Sequence, residues 1–110
     1  MPVLKGMKVK EKFQVEISLP ASYIKDIQKA ILILQEIGFS ELYLFGSLIR
    51  EDFSKQSDID LAVKGLPEDK YHYALGKLDY ELEHPIDLVN LDKKTPFIQL
   101  IKEEMLVKIA

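Results

Sequence analysis

Two carboxylates stand two residues apart in Asp58-Ile59-Asp60-Leu61, and a third lies in Ile86-Asp87-Leu88-Val89. Successive side chains on a strand leave opposite faces, so Asp58 and Asp60 share one face while Ile59 and Leu61 pin the other to a core. Like charges held this close repel, and one tends to protonate unless a cation sits between them. Hard oxygen donors on rigid backbone suit Mg²⁺, which keeps part of its water shell and shares the rest with substrate phosphates. Asp87 joins the pair if its strand lies beside that of Asp58 and Asp60. Three such carboxylates can then hold two Mg²⁺ ions roughly 4 Å apart, the arrangement used for in-line phosphoryl displacement. The plainer reading of Asp-Ile-Asp is a solvated sheet face, and composition alone leaves both open.

Gly46-Ser47 closes the apolar run Glu41 to Phe45 and precedes a possible short helix over Leu48 to Phe53. Glycine lets backbone approach an anion closely, and the N–H groups that follow such a turn, with the Ser47 hydroxyl, can bind phosphate oxygens. Ser47 is expected to position phosphate rather than to act as a covalent nucleophile, because no base for it is apparent nearby. Arg50, one helical turn on, can reach the same phosphates. The open alternatives are an ordinary strand-to-helix turn for Gly46-Ser47 and a surface salt bridge with Glu51 or Asp52 for Arg50. His72, His84, Lys55 and the N-terminal lysines read as structural or solvated groups, and Tyr71, Tyr73 and Tyr80 as core or partner-packing side chains at helical spacing.

The surrounding elements follow from periodicity. Residues 9 to 19 alternate and predict a half-exposed strand ended by Pro20. Ser22 then reads as an N-cap with Asp26 in the first turn. Ile24, Ile27, Ile31 and Leu34 carry the helix to Gly38 at its end. Glu41 to Phe45 and Asp58 to Lys64 predict strands, with a polar loop over Ser54 to Ser57 and a breaker at Gly65-Leu66-Pro67. A helix marked by Tyr71, Leu75, Leu78 and Leu82 ends near His84-Pro85, and Ile86 to Leu91 predicts a further strand. Thr95-Pro96 opens a last helix with Phe97, Leu100 and Ile101 inward, and Met105 to Ile109 returns as a strand. Strands alternating with helices imply an α/β sandwich. The segment between Phe45 and Asp58 is too short for a full helical crossover, so the sheet is expected to be mixed.

The chain has 110 residues, which is one domain by length, and no cysteine, which excludes disulfides and thiolate metal sites. No signal-peptide pattern and no membrane-length apolar run is found, and a cytoplasmic protein is expected. The net charge of −3 gives no support to general binding of nucleic acid.

The combination Leu44-Phe45-Gly46-Ser47, ten residues, then Asp58-Ile59-Asp60-Leu61 resembles the signature of the DNA polymerase beta-like nucleotidyltransferases. The stretch from Phe45 to Val63 is most similar to the minimal nucleotidyltransferases, and the resemblance runs from about Ile24 to the C-terminus, leaving the 9–19 strand outside it. Glu51 stands where that family often has glycine. The resemblance implies Gly46 and Ser47 at the triphosphate and Asp58, Asp60 and Asp87 as Mg²⁺ ligands. It implies ATP as substrate and AMP transfer to a tyrosine of a helical HEPN toxin partner, with the chain as antitoxin. Alternatives are a non-catalytic binding module, or transfer to a small molecule such as an aminoglycoside, or to RNA.

Overall fold

The computed structural model describes residues 19–49, 58–104 and 106–110. The first helix, α1 (Ala21–Ile37), starts directly after Pro20, whose fixed φ of −57° and free carbonyl launch the first turn: the carbonyl accepts from Tyr23 and Ile24 N–H at 3.1 and 3.2 Å. Ser22 is therefore not the N-cap but the second helical residue, and the N-terminus has no side-chain cap. Asp26 is likewise not in the first turn; it is the sixth residue of α1 and is buried. The inward stripe is Tyr23, Ile24, Ile27, Ala30, Ile33 and Leu34, broader than the expected isoleucine row, with Ile31 only partly buried. Gly38, at φ 107°, ends the helix with its N–H on the Leu34 carbonyl at 2.8 Å.

The remaining elements are β1 (Glu41–Phe45), a 3₁₀ turn (Gly46–Leu48), β2 (Ile59–Lys64), a second 3₁₀ turn (Glu68–Lys70), α2 (Tyr71–Glu81), β3 (Ile86–Asn90), α3 (Pro96–Glu103) and β4 (Val107–Lys108). The strands form one sheet in the order β3-β2-β1-β4. β1 runs antiparallel to β2 and β4, whereas β2 and β3 are parallel and joined over α2. The sheet is thus mixed, as the short β1–β2 connection requires. The expected N-terminal strand, apart from Leu19, the rest of the short helix after Ile49, and the polar loop at 54–57 lie outside the described residues.

Both faces of the sheet are covered. Ile59, Leu61, Val63, Leu42, Leu44 and Leu88 pack with α1 and α2 in the larger core. Phe45, Ala62, Val89 and Leu91 pack with Ile98 and Ile101 of α3 in a smaller one. Each fully buried aliphatic side chain of this kind contributes about 2 kcal/mol by removal from water. The smaller core sets the phase of α3. Thr95 caps the helix by accepting from Ile98 N–H at 3.2 Å, with Pro96 in the first turn. Ile98 and Ile101 then point at the sheet, and Phe97 and Leu100, expected inward, are 57% and 62% exposed. Tyr73 and Tyr80 also fall outside the core, because Ala74 and Leu78 carry the buried side of α2.

Candidate active site

Strand alternation puts Asp60 and Ala62 on the face of the smaller core, and Asp87 and Val89 on the same face of the next strand. Because β2 and β3 are parallel in the register Ile59↔Ile86, Asp60↔Asp87, Leu61↔Leu88, the two aspartates occupy one rung. Neighbouring strands lie about 4.8 Å apart, so this rung sets two carboxylates side by side at the entrance of both strands. Asp58 stands exposed one residue before β2. The apolar residues that fix this placement, Ile59, Leu61 and Leu88, are buried in the larger core.

On its other side Asp60 is paired with Phe45 at the end of β1, and the chain turns immediately at Gly46. Gly46 has φ 80°, a conformation other residues rarely adopt. A Cβ at this position would overlap Asp60 Oδ2 and lie 3.0 Å from Asp60 Cγ. The bare glycine therefore makes the space in which the Asp60 carboxylate sits, half-buried, against the turn. Ser47 lies in the same turn, and Arg50 lies outside the described residues.

The order across the edge of the sheet is the Gly46 turn, Asp60, then Asp87. Among the described residues no three acid or histidine side chains converge closely enough to form a ready-made metal cluster. The donor set nonetheless fits Mg²⁺: hard carboxylate oxygens on rigid strands, one of them seated in a glycine-lined recess.

Near Asp87, Tyr71 packs beside β3 and donates its hydroxyl to the Leu88 carbonyl. Burial, and behind it the negative charge of Asp87, push the Tyr71 phenol above its ordinary value. Sequence reasoning missed a second polar construction. Asp26, 2% exposed, accepts from Glu83 N–H at 3.0 Å, His84 N–H at 2.8 Å and His84 Nδ1 at 2.7 Å. The His84 ring stacks on Tyr23 with centroids 3.8 Å apart. These contacts clamp the turn between α2 and β3, three residues before Asp87. The signal available was an acid placed between Tyr23 and Ile27 on the apolar stripe of α1.

The family model for polymerase beta, nucleotidyltransferase matches residues 22–108. The chain belongs to the polymerase beta nucleotidyltransferase family. The candidate site of this nucleotidyltransferase domain lies within that span, as do the four strands of the described residues. The crystal structure of a toxin–antitoxin with AMP-PNP is similar to it, with a TM-score of 0.57 and 27% identity over 72% of this chain and 69% of that one. The crystal structure of the toxin–antitoxin MntA-HepT shares the fold, with a TM-score of 0.54 and 24% identity over 76% of this chain and 68% of that one. Among curated proteins, none matches the nucleotidyltransferase chain at a significant level. No helix among its described residues is long and apolar enough to cross a membrane.

Proposed function

We propose that this domain transfers AMP from ATP to a hydroxyl, a tyrosine on a helical toxin of the HEPN type, and serves as the antitoxin of that pair. The observation that carries the transfer chemistry is the shared rung of Asp60 and Asp87, with Asp60 seated against the bare Gly46 turn. Family membership and the likeness to a toxin–antitoxin crystallised with AMP-PNP support the nucleotide and the partner class.

In this reading the Gly46-Ser47 turn and Arg50 bind the β- and γ-phosphates. Asp58, Asp60 and Asp87 hold Mg²⁺. Bound there, Mg²⁺ supplies positive charge to the triphosphate and to an acceptor oxygen losing its proton. Asp87 orients the acceptor hydroxyl and takes its proton. The acceptor oxygen bonds to the α-phosphorus, the bond from that phosphorus to the oxygen bridging to the β-phosphorus breaks, and pyrophosphate departs with the electron pair. The domain itself orders the nucleotide, and docking of the partner brings the hydroxyl into line.

The test is incubation of the domain with ATP labelled at the α-phosphate, Mg²⁺ and the product of the neighbouring gene, expected to be a helical protein. Label is expected on a tyrosine of that protein. Label entering RNA or a small molecule instead overturns the antitoxin assignment and leaves the transferase one. No labelling of any acceptor, with no ATP binding by calorimetry, overturns both.

A further inference from the structure

Among the described residues, a cavity of about 360 Å³ lies between β3, Tyr71 and the start of α3. Asp87, Lys93, Thr95 and Phe97 are among its lining side chains. Its size falls within the usual range for binding pockets. We propose that this cavity is the acceptor pocket, taking a hydroxyl-bearing aromatic side chain on a protein segment that has acidic flanks. Phe97 is its apolar wall and Lys93 its selective charge. The inference rests on the transferase reading above and adds to it where the acceptor binds and what selects it.

Three observations carry it. The first is order. Across the sheet edge come the Gly46 turn, Asp60, Asp87 and then the cavity. An in-line displacement requires the nucleophile to enter opposite the leaving group. Pyrophosphate held at the Gly46 turn leaves toward β1, so the acceptor enters from the β3 side, where the cavity lies.

The second is the phase of α3. Packing of Ile98 and Ile101 on the sheet turns Phe97 outward, 57% exposed, with Leu100 one turn on at 62%. A large apolar pair kept on the surface beside a cavity fits an incoming apolar body better than solvent. A phenol offers such a body with a hydroxyl at its tip: the ring lies along Phe97 and the oxygen reaches toward Asp87.

The third is charge. Lys93 lines the cavity, and both it and its sequence neighbour Lys94 are exposed. They are complementary to a segment carrying acids next to its acceptor residue, and work against a basic one. Tyr71 is not itself the acceptor, because its hydroxyl is committed to the Leu88 carbonyl.

The probes are two capped tripeptides with central tyrosine, one flanked by glutamates and one by lysines. Binding is read by amide chemical shifts and transfer by the acceptor KM, with Phe97→Ser and Lys93→Glu, both exposed positions, as variants. The glutamate peptide is expected to shift amides in 87–90 and 93–98. Each variant should raise its KM by about tenfold or more while leaving ATP affinity unchanged. Lys93→Glu should restore transfer to the lysine peptide. Shifts confined to another surface, or an unchanged KM in both variants, overturn the pocket. Loss of ATP affinity in Phe97→Ser also overturns it, by giving the cavity to the nucleoside. If no AMP is transferred to any acceptor the transferase reading fails, and the shift map still decides where the peptide binds.

Discussion

Gly46 and Asp60 are matched by exclusion: the space a side chain would take at Gly46 is filled by the Asp60 carboxylate. Gly46→Ala must therefore both adopt φ 80° with a Cβ and displace the Asp60 carboxylate from its recess. The backbone cost alone is about 1–3 kcal/mol. Urea unfolding should show a lower midpoint with an unchanged slope, and calorimetry a loss of Mg²⁺-dependent ATP binding. ATP binding equal to wild type in a folded Gly46→Ala would disconnect the turn from the site.

Asp58→Asn combined with Asp60→Asn removes two charges without changing side-chain shape. The fold should persist, because the residues that anchor this segment are Ile59, Leu61 and Val63 in the larger core. Mg²⁺-dependent triphosphate binding should vanish, since neutral amides are poor ligands for a hard dication. Equal ATP affinity in the double variant and wild type, measured by calorimetry, sinks the assigned site.

Asp26 is expected to act on stability rather than on chemistry. Its carboxylate satisfies the Glu83 and His84 N–H groups and the His84 ring at once. Asp26→Ala leaves those donors without their acceptor, at about 2 kcal/mol. Asp26→Asn keeps an acceptor oxygen and should lose less. A double-mutant cycle with His84→Ala, read by urea unfolding, should give a coupling energy clearly different from zero. Simple additivity would show that the Asp26–His84 contact contributes nothing of its own.

Tyr71 sets a pH dependence at the alkaline end. Its folded-state pKa is raised, so the folded protein holds the phenolic proton more tightly than the unfolded chain does. That contribution is complete below the unfolded value of about 10 and is lost as pH rises through the folded one. Urea midpoints should fall over this alkaline range, and Tyr71→Phe should flatten that part of the profile. An identical profile for Tyr71→Phe would assign the alkaline loss to other groups.

Local rules made much of this protein legible in its sequence. Alternation put Asp60 on the face opposite Ile59 and Leu61, while Asp58 falls just ahead of β2. The apolar run broken at Gly46-Ser47 marked the end of β1, and Thr95-Pro96 marked the start of α3. The short β1–β2 connection required a mixed sheet. Each of these depends on chain stereochemistry within a few residues. What only the tertiary structure decided was whatever depends on a neighbour distant in sequence. The rung shared by Asp60 and Asp87 exists because β3 lies parallel beside β2 in one register, and a slip of one residue would send Asp87 to the opposite face. Phe97 and Leu100 face outward because Ile98 and Ile101 fit against Phe45, Ala62 and Val89, and a helix laid on one face of a sheet turns its other side away from it. Asp26 is the sixth residue of a helix that starts after Pro20, and its burial is tolerated because the distant turn at Glu83 and His84 supplies N–H groups to its carboxylate. Periodicity states which residues share a face; only long-range packing decides what that face meets.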